Sequence, residues 1–130
     1  YGMSSYLLDT HTVLWMASNP DKLPAKVQDL LLAPTAKLFV SIASAWEVAI
    51  KLNLGKLDLD GGISTFFDIC SANSIQVLNI SKNALEALSN LPFIHRDPFD
   101  RLLVVTALTE NLTMLSADKN IQRYKINYVW

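Results

Sequence analysis

The chain has 130 residues, a formal net charge of −1 and a single cysteine. That length suits one domain able to bury about two-thirds of the surface its unfolded form exposes, and lone Cys70 excludes an intramolecular disulfide. The near-zero charge gives no global case for nucleic-acid binding, and no apolar run approaches the roughly 18 residues a membrane helix needs.

Tyr1 and Gly2 precede Met3 and read as a remnant left from expression, with the domain spanning 3–130. No basic region followed by an apolar run marks a secretion signal, so a cytoplasmic protein is expected. The first strand is Ser5–Asp9, followed by a helix over Thr10–Ala17. Asn19-Pro20-Asp21 marks a loop, and Pro24 suits the first turn of a helix running to about Ala33. Lys37–Ile42 is apolar enough for a strand buried on both faces. Ser44-Ala45-Trp46-Glu47 has capping-box spacing and predicts a helix from there to about Asn53, ended by Gly55. Beyond Gly61-Gly62 a helix covers Ile63–Ala72, where Cys70 reads as a buried thiol. Ile75–Ile80 is a third strand, and Ser81 caps a helix through Ser89. Asp97-Pro98 supplies a cap followed by proline at the first helical position, so Pro98–Asn111 is a buried helix despite Val104, Val105 and Thr106. Leu112–Leu115 is the fourth strand, Asp118–Arg123 a short turn and Tyr128–Trp130 a last strand. Alternating strands and helices predict an α/β chain of three α/β/α layers around a central parallel sheet.

Four acids fall where an apolar run ends or a helix begins: Asp9, Glu47, Asp100 and Asp118. An open parallel sheet gathers such positions at the carboxyl ends of its strands, where these folds bind ligands. Pooled carboxylates repel one another unless a cation holds them, and all-oxygen donors favour Mg²⁺ or Mn²⁺. Each acid also has a structural explanation. Asp9 serves equally as a helix cap, worth about 1 kcal/mol. Glu47, third after Ser44, is most simply the closing member of a capping box. Asp97 is the cap before Pro98, or outer support, which leaves Asp100 as the candidate ligand; Asp118 could cap the turn that follows it. Caps alone do not require three strand ends and a buried helix to converge. The first-order expectation is a metal-dependent enzyme acting on phosphate esters. Arg96, Arg101, Lys119 and Arg123 lie close in sequence to two of the acids and are candidates for phosphate contacts, or simply solvated charges.

Other chemistries lack their residues. His11 and His95 are far apart and lack a second histidine at helical spacing, and one cysteine does not complete a zinc site. There is no Gly-x-Ser-x-Gly elbow, and neither a phosphate loop nor a dinucleotide fingerprint. Trp15, Trp46 and Phe66-Phe67 read as core or interface residues.

Leu8-Asp9-Thr10-His11, Ser41-Ile42-Ala43-Ser44-Ala45-Trp46-Glu47, His95-Arg96-Asp97-Pro98-Phe99-Asp100-Arg101 and Leu115-Ser116-Ala117-Asp118 occur in that order. Together they resemble the PIN domain, specifically the VapC toxins of toxin–antitoxin pairs, over nearly the whole chain from Met3. The Asp-Pro-Phe-Asp-Arg segment is the most specific part. The resemblance implies an α/β/α ribonuclease whose acidic cluster binds Mg²⁺ or Mn²⁺, with the family's acids falling on Asp9, Glu47, Asp100 and Asp118. Asp9 and Asp100 are the expected primary ligands, and Glu47 and Asp118 complete the shell directly or through water. Ser116 matches the small hydroxyl residue two positions before the last acid; Asn120 is an amide and adds no charge. The resemblance also implies RNA as substrate, with Arg96, Arg101 and Lys119 on its backbone, a homodimer, and a small antitoxin over the acidic cleft. Apolar surface near Trp15 and on the helix after Glu47 is the expected docking place. Two competitors stand beside it. One is a non-catalytic PIN-like module that binds RNA or protein. The other is a phosphoacceptor receiver domain, whose acceptor aspartate is missing where Ile75–Ile80 runs into Ser81.

Overall fold

The computed structural model describes residues 4–130, so Tyr1 and Gly2, read above as a remnant, and Met3 lie outside the described residues. The elements run β1 (Ser4–Leu8), α1 (Thr10–Ser18), α2 (Ala25–Leu32), β2 (Ala36–Ser41), α3 (Ile42–Asn53), α4 (Ile63–Ala72), β3 (Ile75–Leu78), α5 (Lys82–Ser89), α6 (Pro98–Glu110), β4 (Thr113–Leu115) and β5 (Tyr128–Val129). The strands form one sheet in the order β3-β2-β1-β4-β5, and every pairing is parallel. From β1 the chain builds outward through β2 and β3, then returns to lay β4 on the other side of β1. The boundary between β1 and β4 is therefore the topological switch point, where such sheets open a crevice.

Strand periodicity explains the layers. Tyr6 and Leu8 of β1, with Leu38 and Val40 of β2, face Val13, Val27, Val48 and Phe66 from α1–α4. Leu7 and Met114 face the other way, onto Leu103, Val104 and Ala107 of α6 and onto Ile121 and Tyr124. The result is the predicted three-layer α/β/α arrangement. α6 keeps its helical form despite its β-branched residues because it is capped and sandwiched. Asp97 Oδ1 accepts from Asp100 N at 3.0 Å, Pro98 opens the first turn, and Leu102–Ala107 are all buried between the sheet and α5. At its far end Asn111 takes left-handed backbone angles (φ 56, ψ 51) and closes the helix.

The largest local departure from expectation is at the start of α3. The strand Ala36–Ser41 passes into helix without a loop, and the cap is Ser41, whose Oγ accepts from Ala43 N at 3.0 Å. Ser44 is therefore already inside the first turn, buried, its Oγ lacking a hydrogen-bond partner among the described residues. The capping box read from Ser44 to Glu47 does not form, because an earlier serine at the strand end reaches the first free amides sooner. α3 ends where predicted: Gly55 adopts φ +70 and Lys56 N donates back to Lys51 O at 2.9 Å.

Candidate metal centre

Asp9 leaves β1 at the switch point. As the N-cap of α1 it accepts from Thr12 N at 2.8 Å and from Thr12 Oγ1 at 2.7 Å, both on Oδ1. Its Oδ2 accepts from Ser116 Oγ at 2.5 Å. Asp9 thus caps the helix and also lines the cleft. A carboxylate offers about four lone-pair directions. Three are taken, which leaves one on Oδ2 for a ligand. The side chain is 6% exposed, and burial pushes its pKa above the usual carboxylate value, against the lowering hydrogen bonds of Ser116 and Thr12.

Ser116 joins the first and last acids. Fully buried beyond β4, it donates to Asp9 and accepts from Asp118 N at 3.0 Å. Asp118 in turn accepts on Oδ1 from Asn120 N at 2.7 Å and from Ile121 N at 3.4 Å, at the entry to the turn Ile121–Arg123. Glu47, released from the expected capping role, projects from the middle of α3. Its Oε1 accepts from Thr10 Oγ1 at 2.8 Å, and its Oε2 lies 3.1 Å from Lys51 Nζ. Asp100 sits in the first turn of α6, with Oδ2 3.2 Å from His95 Nε2. Its pKa is pushed up to about 6, chiefly by burial and further by the charges of Asp97 and Asp118, against the hydrogen bond from His95.

Asp9, Thr10, His11, Glu47, Lys51, Asp97, Asp100, Leu103 and Asp118 line one cleft of about 120 Å³. The four acids singled out in the sequence are all there, with Asp97 as a fifth carboxylate on the rim. A larger hollow of about 560 Å³ beside Asp58, Asp60 and Thr65 has no comparable convergence of charge. Among the described residues no group of three or more His, Cys, Asp or Glu is already drawn around one cation position, because each acid is held by its own local partner. The donor set nevertheless suits a hard divalent ion. It is all-oxygen, and the raised pKa values of Asp9 and Asp100 record negative charge in a desolvated place without full compensation.

The basic candidates divide. Arg96 and Lys119 are exposed. Arg123 donates to Asn120 Oδ1 at 3.3 Å. Arg101 is committed inward, with Nη1 donating to Pro92 O at 3.0 Å and Tyr124 Oη at 3.2 Å, and the guanidinium stacked 4.8 Å from the Phe93 ring centre. Trp46 is 58% exposed and packs edge-on against Phe99 at 5.2 Å, joining α3 to the first turn of α6.

Sequence reading missed Thr10, the partner of Glu47 37 residues away, and four further contributors. Lys51 stands one helical turn after Glu47, a spacing that could have signalled the pair. Thr12, third after Asp9, is a conventional place for a cap's partner. His95 stands five residues before Asp100, a separation that does not by itself announce a contact. Tyr124 is 29 residues from His95, and no local pattern predicts that contact.

The sequence pattern of the PIN domain matches residues 6–127. Among curated proteins, none matches significantly. The structure is similar to VapBC2 from Rickettsia felis, solved bound to a DNA fragment from their promoter, at 16% identity over 96% of this chain and 97% of that one, with a TM-score of 0.73. It is similar to VapBC-1 from nontypeable Haemophilus influenzae at 19% identity over 96% of each chain and a TM-score of 0.73. A toxin–antitoxin complex from Klebsiella pneumoniae matches at 16% identity over 96% of each chain, with a TM-score of 0.64. At these identities the likeness is one of fold.

Proposed function

This chain belongs to the PIN-domain family, and from that premise we propose that it is a Mg²⁺- or Mn²⁺-dependent endoribonuclease, the toxin of a VapBC-type pair. The observation that carries this reading is the convergence of Asp9, Glu47, Asp100 and Asp118 on one cleft at the switch point of a parallel sheet. Asp9 and Asp100 are the primary metal ligands, with Glu47 and Asp118 completing the shell directly or through water. When bound, the cation supplies Lewis acidity that activates water and offsets charge on the phosphate oxygens.

The chain's own residues do the positioning. Thr12 and Ser116 hold Asp9 so that its remaining lone pair has a fixed direction. Ser116 also fixes the backbone of Asp118. Lys51 neutralises Glu47 at the cleft wall and can release it as the cation enters. Arg96 and Lys119, both exposed, are the contacts for the RNA backbone. Arg101 is the weaker candidate for that role, because three of its five N–H donors bond Leu91, Pro92 and Tyr124 and its guanidinium stacks on Phe93.

The fold's likeness to VapBC and other toxin–antitoxin structures supports an antitoxin partner; a homodimeric toxin is part of the same proposal. Trp46 on α3 and Leu54 just past its end, each 58% exposed, give the apolar surface such a partner would cover. Among the described residues no helix is long and apolar enough to cross a membrane.

The test is to incubate the purified, partner-free protein with a mixed cellular RNA pool in Mg²⁺, in Mn²⁺ and in EDTA, alongside Asp9→Asn. Discrete metal-dependent fragments, absent with the variant, are expected. RNA retained equally with and without metal, and never cut, would favour a non-catalytic binding module instead.

A further inference from the structure

Behind Asp100, on the side away from the cleft, lies a chain of polar side chains that the nuclease reading does not use. Arg101 Nη1 is 3.2 Å from Tyr124 Oη. Tyr124 Oη is 3.2 Å from His95 Nδ1, and His95 Nε2 is 3.2 Å from Asp100 Oδ2. Tyr124 is buried and His95 nearly so.

Donor and acceptor rules give this chain one direction. A guanidinium only donates, so Arg101 makes the Tyr124 oxygen an acceptor, and the tyrosine's own proton must go elsewhere. His95 Nδ1 is the acceptor within reach. A neutral ring that accepts at Nδ1 carries its proton on Nε2, which faces the Asp100 carboxylate as a donor. The opposite tautomer would set a nitrogen lone pair against that carboxylate and strand the Tyr124 hydroxyl. The far end is anchored too. Arg101 also grips the carbonyls of Pro92 and Leu91 and stacks on Phe93. Asp100 is meanwhile pinned from its backbone by Asp97.

We propose that His95 is a positioning residue for Asp100, locked in its Nε2–H tautomer by Tyr124 and Arg101, so that Asp100 keeps Oδ1 aimed at the metal. This rests on Asp100 being a metal ligand. It also accounts for Arg101 turning inward. Outer-shell partners of this kind orient ligating carboxylates, and their loss typically weakens metal affinity or activity about ten- to a hundredfold.

The experiment measures Mn²⁺ affinity of the full chain by calorimetry without RNA, and RNA cleavage across a Mn²⁺ titration. The variants are His95→Ala, His95→Gln, Tyr124→Phe and Asp100→Asn. His95→Ala should weaken Mn²⁺ binding about ten- to a hundredfold, and its cleavage rate should recover towards the parent's at saturating Mn²⁺. His95→Gln, which returns an amide donor near the Nε2 position, should restore most of the affinity, and Tyr124→Phe should show a smaller loss. Nitrogen NMR of the parent imidazole, which needs no variant to fold, should show the Nε2–H tautomer. An Nδ1–H tautomer, or parent-like Mn²⁺ binding by His95→Ala when Asp100→Asn has lost it, overturns the positioning role. Parent-like Mn²⁺ binding by Asp100→Asn as well would instead sink the metal-site assignment on which the role depends.

Discussion

The two halves of the cleft are built on different physical plans. The strand half, Asp9 with Ser116 and Asp118, sits at the ends of β1 and β4 and is fastened by buried hydroxyls and backbone amides at 2.5–3.0 Å. The helix half, Glu47 on α3 and Asp100 on α6, is carried on helices and is steadied by the Thr10 hydroxyl at 2.8 Å and by two charged or titratable neighbours, Lys51 and His95, at 3.1–3.2 Å. Strand ends fixed by sheet register offer preorganisation, whereas helix-borne carboxylates keep room to adjust when a cation and a phosphate arrive. One half sets where the metal goes, and the other completes its shell.

If that division is right, the largest effect comes from the strand half. Asp9→Asn keeps the size of the side chain and an oxygen able to cap α1, but it removes the charge. Cleavage should fall by more than about a hundredfold, while melting of the metal-free protein near neutral pH should stay the same or rise, because a buried charge costs stability. Parent-like cleavage rates would break the comparison at its base. Ser116→Ala comes next. It strips Asp9 of a charge-assisted hydrogen bond and Asp118 N of its acceptor, so activity should drop about ten- to a hundredfold and stability by about 1–3 kcal/mol. Ser116→Thr, which keeps the hydroxyl, should recover part of both, as read by RNA cleavage and urea denaturation.

The same division separates what the sequence reveals from what it hides. Asp9 and Asp118 are readable because strand ends and caps are local features. Asp97 and Pro98 announce α6 so plainly that its β-branched residues do not mislead. The four acids fall together because a parallel α/β order itself predicts where strand ends meet. Ser44 gives Glu47 a competing role, since spacing alone does not say that Ser41 at the end of β2 captures the amide first. The partners of the helix half stayed hidden for a different reason. Thr10 is 37 residues from Glu47 and Tyr124 is 29 from His95, contacts set by tertiary packing alone. Arg101 likewise looks like an RNA contact until the loop carbonyls that hold it are seen.

A pH titration of the metal-free protein sharpens the contrast further. Asp100, pushed up to about 6 mainly by burial, binds its proton more tightly folded than unfolded. Its contribution to stability is therefore fully present below about pH 4 and is lost as pH rises through about 6. The loss amounts to about 3 kcal/mol at most, less because the side chain keeps some contact with water. Asp9, also raised, adds in the same direction. In EDTA the melting temperature should fall as pH rises from 4 to 7, and Asp100→Asn should flatten that fall. Adding Mg²⁺ at pH 7 should restore what was lost, since the ion binds only the folded protein's assembled site. A metal-free melting temperature that climbs over this range would mean the carboxylates are already compensated.

The smallest effect belongs to Lys51, and it tests whether the helix half is as adjustable as its geometry suggests. Lys51 is 41% exposed, against 14% for the Glu47 side chain it pairs with. A pair that half-exposed contributes about 0–1 kcal/mol, so Lys51→Met should barely change stability. Its ammonium nevertheless competes with any incoming cation for Glu47. Removing it should tighten Mn²⁺ binding by no more than about fivefold, which is what roughly 1 kcal/mol allows, while Lys51→Arg leaves the affinity unchanged. If Lys51→Met instead weakens Mn²⁺ binding, or costs more than about 2 kcal/mol of folding stability, the ammonium is a fixed part of the site. α3 would then be built on the same rigid plan as the strand ends, and the contrast between the two halves would disappear.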